Sequence, residues 1–556
     1  MTYLAAALSA SLVAVPVQAQ TPPASAAAEP TALPQQGDAP TTLRVRGFRV
    51  RDVGTHPRAG ITPATVQALA DAQFRALAQG QPEVALRFAQ LQAVADAITR
   101  AYRLSGFIVS TAYLPAQTPA PDRIVEIRVI EGRVGQIQVE GAARYRDSTL
   151  AAPLRTLQGH PLRKQEVDGA LAWLRDLPGV TVSSVLQPGA REGETDVLLV
   201  AKEAARPYVL SLGGNNYGTE LTGRYRAQAG LTWNSPLGLG DVFSASYAYA
   251  LDPRQSTLGA LSYAVPVPAV PGLGAVLGAS RSELEVRNGA FASLGLKGPA
   301  SVVYLGSDWK FLNRETLQWQ ASARYLREQS RLSAVGMQLS NQKFDVVELS
   351  TALRRTDLRW RGIDLLQLSL RQSLRDQSAS PDLVSPRHDR HFTVARLGYT
   401  RMQALAATQR LYFKLNGQYS DDALTPMEQF AVGGPESVRA YPVSDALGDR
   451  GYYTALEYHV DAPGFADAVA PFAGRPWREV LELDVFADHA RVYPAGGNRA
   501  LAPAVTTFDG VGAGVTLRVP QWQSFELRLS AAKPTGGREA SDGRDVRFYS
   551  RFGFTF

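Results

Sequence analysis

One arginine stands apart in this 556-residue chain by the company it keeps. Arg439 lies in Gly433-Gly434-Pro435-Glu436-Ser437-Val438-Arg439-Ala440-Tyr441-Pro442, inside a Gly/Pro-punctuated connection spanning 421–450. A connection of that length between strand-like segments is either disordered or functional, and the residues alone leave a solvated surface loop and a working loop both open. A guanidinium is a planar cation suited to a two-pronged match with a carboxylate. One carboxylate is well placed. Within 478–489, Leu481, Leu483, Val485 and Ala487 alternate with Glu482, Asp484, Phe486 and Asp488, so a strand sends the two sets to opposite faces. If the apolar set faces lipid, Asp488 faces an enclosed lumen, where a charge is costly unless paired. Arg439 is then the candidate partner.

Other chemistry finds little support. The six histidines are scattered, and His388 and His391, the one close pair, lack a carboxylate spacing that completes a metal site. Gly510-Val511-Gly512-Ala513-Gly514 has the glycines of a dinucleotide loop, but no helical pattern follows; they fit a tightly packed or lumen-facing strand. The absence of cysteine removes disulfides, thiolate-bound zinc and thiol nucleophiles together. Neither catalysis nor a cofactor is expected. The net charge is +7, yet the basic residues are interspersed with 51 acidic ones and form no stripe, so nucleic acid is not expected as a partner.

The elements that must position Arg439 and Asp488 follow from periodicity. Leu4 to Val15 is a short apolar run followed by Val17-Gln18-Ala19, the pattern of a secretory signal peptide over 1–19, although Met1-Thr2-Tyr3 lacks the usual positive start. Residues 20–40, rich in Ala and Pro, read as a linker. A strand over Leu43–Val50 and a helix over Pro63–Leu77 come next. Leu91, Val94, Ile98 and Tyr102 mark the buried face of a second helix that ends at Gly106; strands follow over Phe107–Leu114 and Ile124–Ile130. The order repeats on a smaller scale. A strand over Val134–Val139, helices over Leu150–Leu157 and around Val167, Leu171 and Leu174, then strands over Val180–Gln187 and Thr195–Lys202 give a second α/β unit. The expected modules are 41–132 and 133–204.

From Arg206 onward helical periodicity gives way to about sixteen alternating segments of some ten residues separated by turns, as a transmembrane barrel requires. The last segment is the clearest. Val546, Phe548, Phe552, Phe554 and Phe556 share one face, with Arg547, Tyr549, Arg551 and Thr555 on the other, which is lipid outside and lumen inside. The fold class expected is therefore a membrane β-barrel of about sixteen antiparallel strands over 205–556, preceded by two periplasmic α/β modules.

This order resembles the outer-membrane transporters of two-partner secretion, the haemolysin secretion/activation group ShlB/FhaC/HecB. Tyr102, Gly106 and Phe107 with Pro115 and Gln117, then Val129-Ile130-Glu131-Gly132-Arg133-Val134, match its first POTRA domain. Pro161-Leu162, Leu177-Pro178-Gly179, Pro188-Gly189 and Gly193 match its second. Val438-Arg439-Ala440-Tyr441 resembles the family's Val-Arg-Gly-Tyr/Phe loop motif, and Phe486-Ala487-Asp488-His489-Ala490 its Phe-x-Asp-x-Gly partner. Ala440 departs from the family's Gly, and a positive φ there would strain it. The family's plug helix is not evident in 20–40.

The resemblance implies that the POTRA domains capture an unfolded, exported partner protein in the periplasm and that the barrel passes it to the cell surface. It implies too that Arg439 and Asp488 lock the loop to the inner wall, and that Phe556 is the signal read by the barrel-assembly machinery. Besides these the expected partner is outer-membrane lipid. Exchanging the charges of Arg439 and Asp488 is expected to restore part of the function. Alternatives in the same sequence space are a barrel-insertion factor of the same superfamily or a passive porin.

Overall fold

The computed structural model describes residues 42–556 except 119–120, 220–222, 253–255, 269, 288–291 and 381. The expected signal peptide, the 20–40 linker and the question of a plug helix lie outside the described residues.

The first module packs helices Pro63–Ala78 and Phe88–Leu104 on a sheet in which Gly47–Arg51 pairs in parallel with Ile124–Ile130, itself paired with Thr111–Tyr113. Leu91, Val94, Ile98 and Tyr102 are all buried, the face their spacing predicts. Three local readings change. The strand expected over Leu43–Val50 breaks at Arg46 into Thr42–Val45 and Gly47–Arg51. The first piece pairs with a strand that periodicity missed, Val84–Arg87. Phe107 lies in a tight turn, not a strand. Gly106 takes φ +94°, the Phe107 amide donates to the Tyr102 carbonyl at 3.0 Å, and the ring is fully buried.

The second module repeats the scheme with helices Asp147–Arg155 and Lys164–Arg175 and the strand order Arg133–Glu140, Glu194–Glu203, Val180–Pro188. Glu203 organises the segment before the first of these helices, accepting the backbone N–H groups of Ala143, Arg144 and Tyr145 at 3.0, 2.8 and 2.9 Å. Desolvation pushes its carboxyl up, and these donors outweigh that effect and hold it below the usual range. Burial pushes the Tyr145 phenol up to about 12, and its hydroxyl donates to the Pro178 carbonyl at 2.5 Å.

The modules are jointed tightly. The Lys164 amide donates to the Gly106 carbonyl at 2.9 Å, and the Arg163 guanidinium lies 5.5 Å from the Phe107 ring centre. The second module in turn grips barrel turns: the Arg146 amide and Thr149 Oγ1 both donate to the Gly238 carbonyl at 3.1 Å. Asp176 accepts Lys310 Nζ at 2.7 Å and Asn313 Nδ2 at 2.8 Å.

The barrel strands are β1 (Tyr208–Asn215), β2 (Tyr225–Asn234), β3 (Val242–Asp252), β4 (Ser256–Pro266), β5 (Leu273–Leu284), β6 (Ala300–Asn313), β7 (Leu317–Ala334) and β8 (Met337–Asp357). They continue with β9 (Gly362–Asp376), β10 (Thr393–Ala406), β11 (Gln409–Tyr419), β12 (Arg450–Asp461), β13 (Leu481–Tyr493), β14 (Thr506–Val519), β15 (Phe525–Pro534) and β16 (Arg547–Thr555). All sixteen form one closed antiparallel barrel, β16 returning to β1 through Arg551–Thr555 against Asn215–Ser211. Closure leaves no strand edge to the lipid, the condition for spanning a bilayer with sheet. On β16, Phe548 is 70 % exposed and its neighbour Tyr549 is 5 % exposed, which sets the apolar face outward and the polar face inward.

Candidate functional site

The connection between β11 and β12 folds back into the lumen. A short ribbon, Phe430–Val432 with Ala446–Gly448, forms its stalk. At the turn Gly433 and Gly434 take φ +102° and +100°, and a Cβ on Gly433 would fall 2.1 Å from the Pro442 carbonyl, so glycine is required there. The Gly434 amide donates to the Tyr441 carbonyl at 2.9 Å, closing the tip around Arg439.

The tip meets the wall at β13. Arg439 Nε and Nη2 donate to Asp488 Oδ2 and Oδ1 at 2.9 and 2.7 Å, and the Arg439 amide donates to Oδ2 at 3.0 Å. Both residues are buried. Nη2 also lies 3.0 Å from Glu457 Oε1 on β12, and the guanidinium stacks on Phe486 with Cζ 3.4 Å from the ring centre. A bidentate, stacked pair withdrawn from water is the arrangement in which an arginine is least replaceable.

Apolar packing surrounds the pair. Val438, Ala440 and Tyr441 are fully buried, and Tyr441 stands edge-on to Phe508 of β14 at 4.9 Å. Its hydroxyl donates to the Arg538 carbonyl, while the Tyr549 hydroxyl of β16 donates to the Tyr441 carbonyl, each at 3.1 Å. Ala440 does not take a positive φ, so the strain expected of a non-glycine residue there does not arise. Its methyl occupies space left by Gly510, where an added Cβ would fall 2.7 Å from the Ala440 Cβ. Gly512 and Gly514 leave room in the same way for the Phe486 ring and the Asp484 carboxylate. The glycine run of β14 is thus a lumen-facing surface planed flat for the loop tip and its platform. Ala440→Gly deletes one buried methyl, about 0.8 kcal/mol, and adds backbone freedom worth roughly 0.5–1 kcal/mol. The variant is expected to secrete less than the wild type while its barrel still folds, measured as partner in the medium per folded barrel.

Sequence reasoning paired Arg439 with Asp488 and read Gly510 in a tightly packed or lumen-facing strand and Tyr549 on the lumen face, but it did not bring these two to the loop tip, and it missed Glu457 and Asp449. Asp449 is fully buried where β12 begins and accepts from Leu424 N, Gln429 Nε2 and Asn498 Nδ2 at 2.9–3.0 Å and from Ala495 N at 2.6 Å. It ties both ends of the loop to the following outer turn. Phe556, the expected assembly signal, exchanges both backbone hydrogen bonds with Leu210 of β1, at 2.8 and 3.2 Å, and is 40 % exposed.

Among the described residues one histidine–carboxylate group has metal-like proximity, His459, Glu482 and Asp484. Both ring nitrogens of His459 already lie on carboxylates, Nδ1 2.6 Å from Glu482 and Nε2 2.9 Å from Glu457. Arg410 and Arg518 donate to Glu482 as well, at 2.7 and 2.9 Å. Cations from the protein itself balance these acids. The cluster is a charged lining of the lumen wall.

A closed sixteen-strand barrel, preceded by α/β modules and carrying an inward-folded loop, is the architecture of an outer-membrane β-barrel with periplasmic modules. Residues 193–474 match the model of the haemolysin secretion/activation proteins ShlB/FhaC/HecB, and 58–132 match the ShlB-type POTRA domain. The chain belongs to that family, the outer-membrane transporters of two-partner secretion, which work on a secreted partner protein. It is 26 % identical over 511 residues to the hemolysin transporter protein ShlB of Serratia marcescens, covering 90 % of this chain and 86 % of that one. It is 24 % identical over 463 residues to the heme/hemopexin transporter protein HuxB of Haemophilus influenzae (strain 86-028NP), with 80 % and 77 % covered. The solved structure of CdiB from Escherichia coli shares the fold, with a TM-score of 0.67 at 20 % identity, covering 95 % of this chain and 93 % of that one.

Proposed function

We propose that the modules, bounded at 41–132 and 133–204, take an unfolded exported chain by strand addition, and that the loop bearing Arg439 decides whether the pore conducts. Strand addition uses an open sheet edge, whose free N–H and C=O groups pair with any extended chain. Val180–Pro188, at the edge of the second sheet, supports this reading, since Val185 and Leu186 are 45 % and 37 % exposed along it. The observation that carries the loop's role is the buried Arg439–Asp488 pair, which fixes the tip of a lumen-filling segment to the wall. Val438, Ala440 and Tyr441 supply the apolar seat and Phe486 the stacking surface. Transport of this kind needs no catalysis by the transporter; folding of the partner outside supplies direction. ShlB and HuxB are named for transporting a hemolysin and heme/hemopexin, and the partner here is a large secreted adhesin, cytolysin or haem-acquisition protein of that sort.

The test co-expresses the transporter with a secreted protein of the two-partner type from the same genome. Partner exposed on the cell surface should require both the barrel and residues 42–204. Surface exposure that persists without 42–204 argues against capture by the modules.

Phe556 serves, in this reading, the barrel-assembly machinery as well as the lipid interface. Deleting it should lower the amount of heat-modifiable barrel several-fold, whereas loss of one exposed aromatic alone should change barrel stability by no more than about 1–2 kcal/mol. An undiminished yield of inserted barrel would leave it a girdle residue.

A further inference from the structure

The loop carries a second buried charge, of opposite sign to Arg439. Glu428 is 1 % exposed and lies just before the stalk. Arg371 of β9 meets it two-pronged, Nε to Oε2 at 3.1 Å and Nη2 to Oε1 at 2.8 Å, and Arg396 of β10 adds Nη2 to Oε2 at 3.0 Å. The wall holds the loop backbone here as well, since Gln418 Nε2 donates to the Glu428 carbonyl at 2.8 Å. Arg371 itself is held by Glu348 of β8 at 2.6 Å and Glu328 of β7 at 2.7 Å. Strand order places β9 four strands from β13, a quarter of the way round the barrel, or an arc of about 19 Å at the usual strand spacing. The two seats are therefore separate.

We propose that Glu428 is a second positioning residue of the translocation loop, an anionic stem clamp on β9 and β10 that holds independently of the cationic tip clamp on β13. This rests on the reading of the loop as the element that controls conduction, and it adds where the loop bends: between two seats of opposite charge. A molecule that displaces the tip from Asp488 leaves the stem seated, and the reverse holds too.

The charges at the two seats also choose the variant. With Glu428 neutralised, Arg371 and Arg396 still face Glu328 and Glu348, two cations against two carboxylates, so the wall is balanced and Glu428→Gln should fold. Arg371→Gln would leave Glu328, Glu348 and Glu428 with Arg396 alone and is the wrong probe.

The chain has no cysteine, which gives a clean background for thiol labelling. Met427→Cys reports on the stem and Ser437→Cys, at a tip position that is 6 % exposed, on the tip, each followed by its rate of modification with a charged methanethiosulfonate in the purified, heat-modifiable barrel. Glu428→Gln is expected to raise the stem rate by about tenfold or more, the scale of losing a two-pronged charged hydrogen bond, and to leave the tip rate unchanged. Glu428→Asp, which keeps the charge, should restore much of the slow stem rate. An unchanged stem rate in Glu428→Gln overturns the clamp. Stem and tip rates rising together in Glu428→Gln and in Arg439→Ala overturn its independence, because the loop would then move as one piece. Conductance in planar bilayers separates the two levels: a faster stem rate with unchanged conductance keeps the clamp and rejects the loop as the controlling element.

Discussion

Arg439→Ala is expected to bring secretion of the partner to background while the barrel still inserts in normal amount. The barrel survives because Arg439 belongs to none of the sixteen strands, and their ladder closes without it. The loop does not stay seated, because alanine leaves Asp488, 4 % exposed, with Tyr453 Oη at 3.4 Å as its remaining side-chain hydrogen bond. Stranding one member of a buried ion pair costs about 3–5 kcal/mol, and at about 1.4 kcal/mol per decade the seated population falls roughly 10²- to 4 × 10³-fold. Phe486 loses its stacked cation as well. Partner in the medium, normalised to heat-modifiable barrel, measures the effect; secretion at the wild-type level would remove Arg439 from the mechanism. Exchanging the charges should restore less than a bare pair predicts. Asp488 also accepts the Arg439 amide, and Glu457 lies beside the guanidinium, so an aspartate at 439 faces a second acid and an arginine at 488 faces an N–H donor.

Gly510→Ala is expected to unseat the same tip with every charge in place, and Ala440→Gly is expected to reseat it. Gly510 lies directly across the ladder from Asp488, and its missing Cβ is the space the Ala440 methyl fills. Two β-carbons cannot share 2.7 Å, and an extra methyl in a packed seat costs about 1–3 kcal/mol, which shifts seating about 5- to 150-fold. Moving the methyl from the loop to the wall keeps the volume constant. The double variant should therefore secrete near the wild-type level, and the single Gly510→Ala well below it. Equal defects in the two would mean that the methyl contact does not position the loop.

These two positions show what the sequence makes legible. Period-2 alternation is a local signal, so all sixteen barrel strands, the outward set Leu481, Leu483, Val485 and Ala487, and the inward set ending at Asp488 could be read directly. Arg439 found its partner because few carboxylates alternate so cleanly. Gly510 as a receptor for Ala440, and Arg371 with Arg396 as receptors for Glu428, depend on how far round the barrel the loop runs, and no local pattern encodes that. Val84–Arg87 was missed for a related reason. It is four residues long with one buried side chain, and its pairing with Thr42–Val45 closes across a whole helix.

The joint between the second module and the barrel has a geometric consequence. Its hydrogen bonds, at Gly238, Lys310 and Asn313, fall between β2 and β3 and at the end of β6, while the loop's hydrogen-bonded seats run from β9 to β16 and its Leu424 packs in a cluster with Leu326 of β7 and Phe344 of β8. The module is thus fastened to the tube at an offset around its circumference from the polar seats of the loop. Under the proposed handover, a chain leaving the second module enters beside β2, β3 and β6, away from the seat of Arg439 on β13.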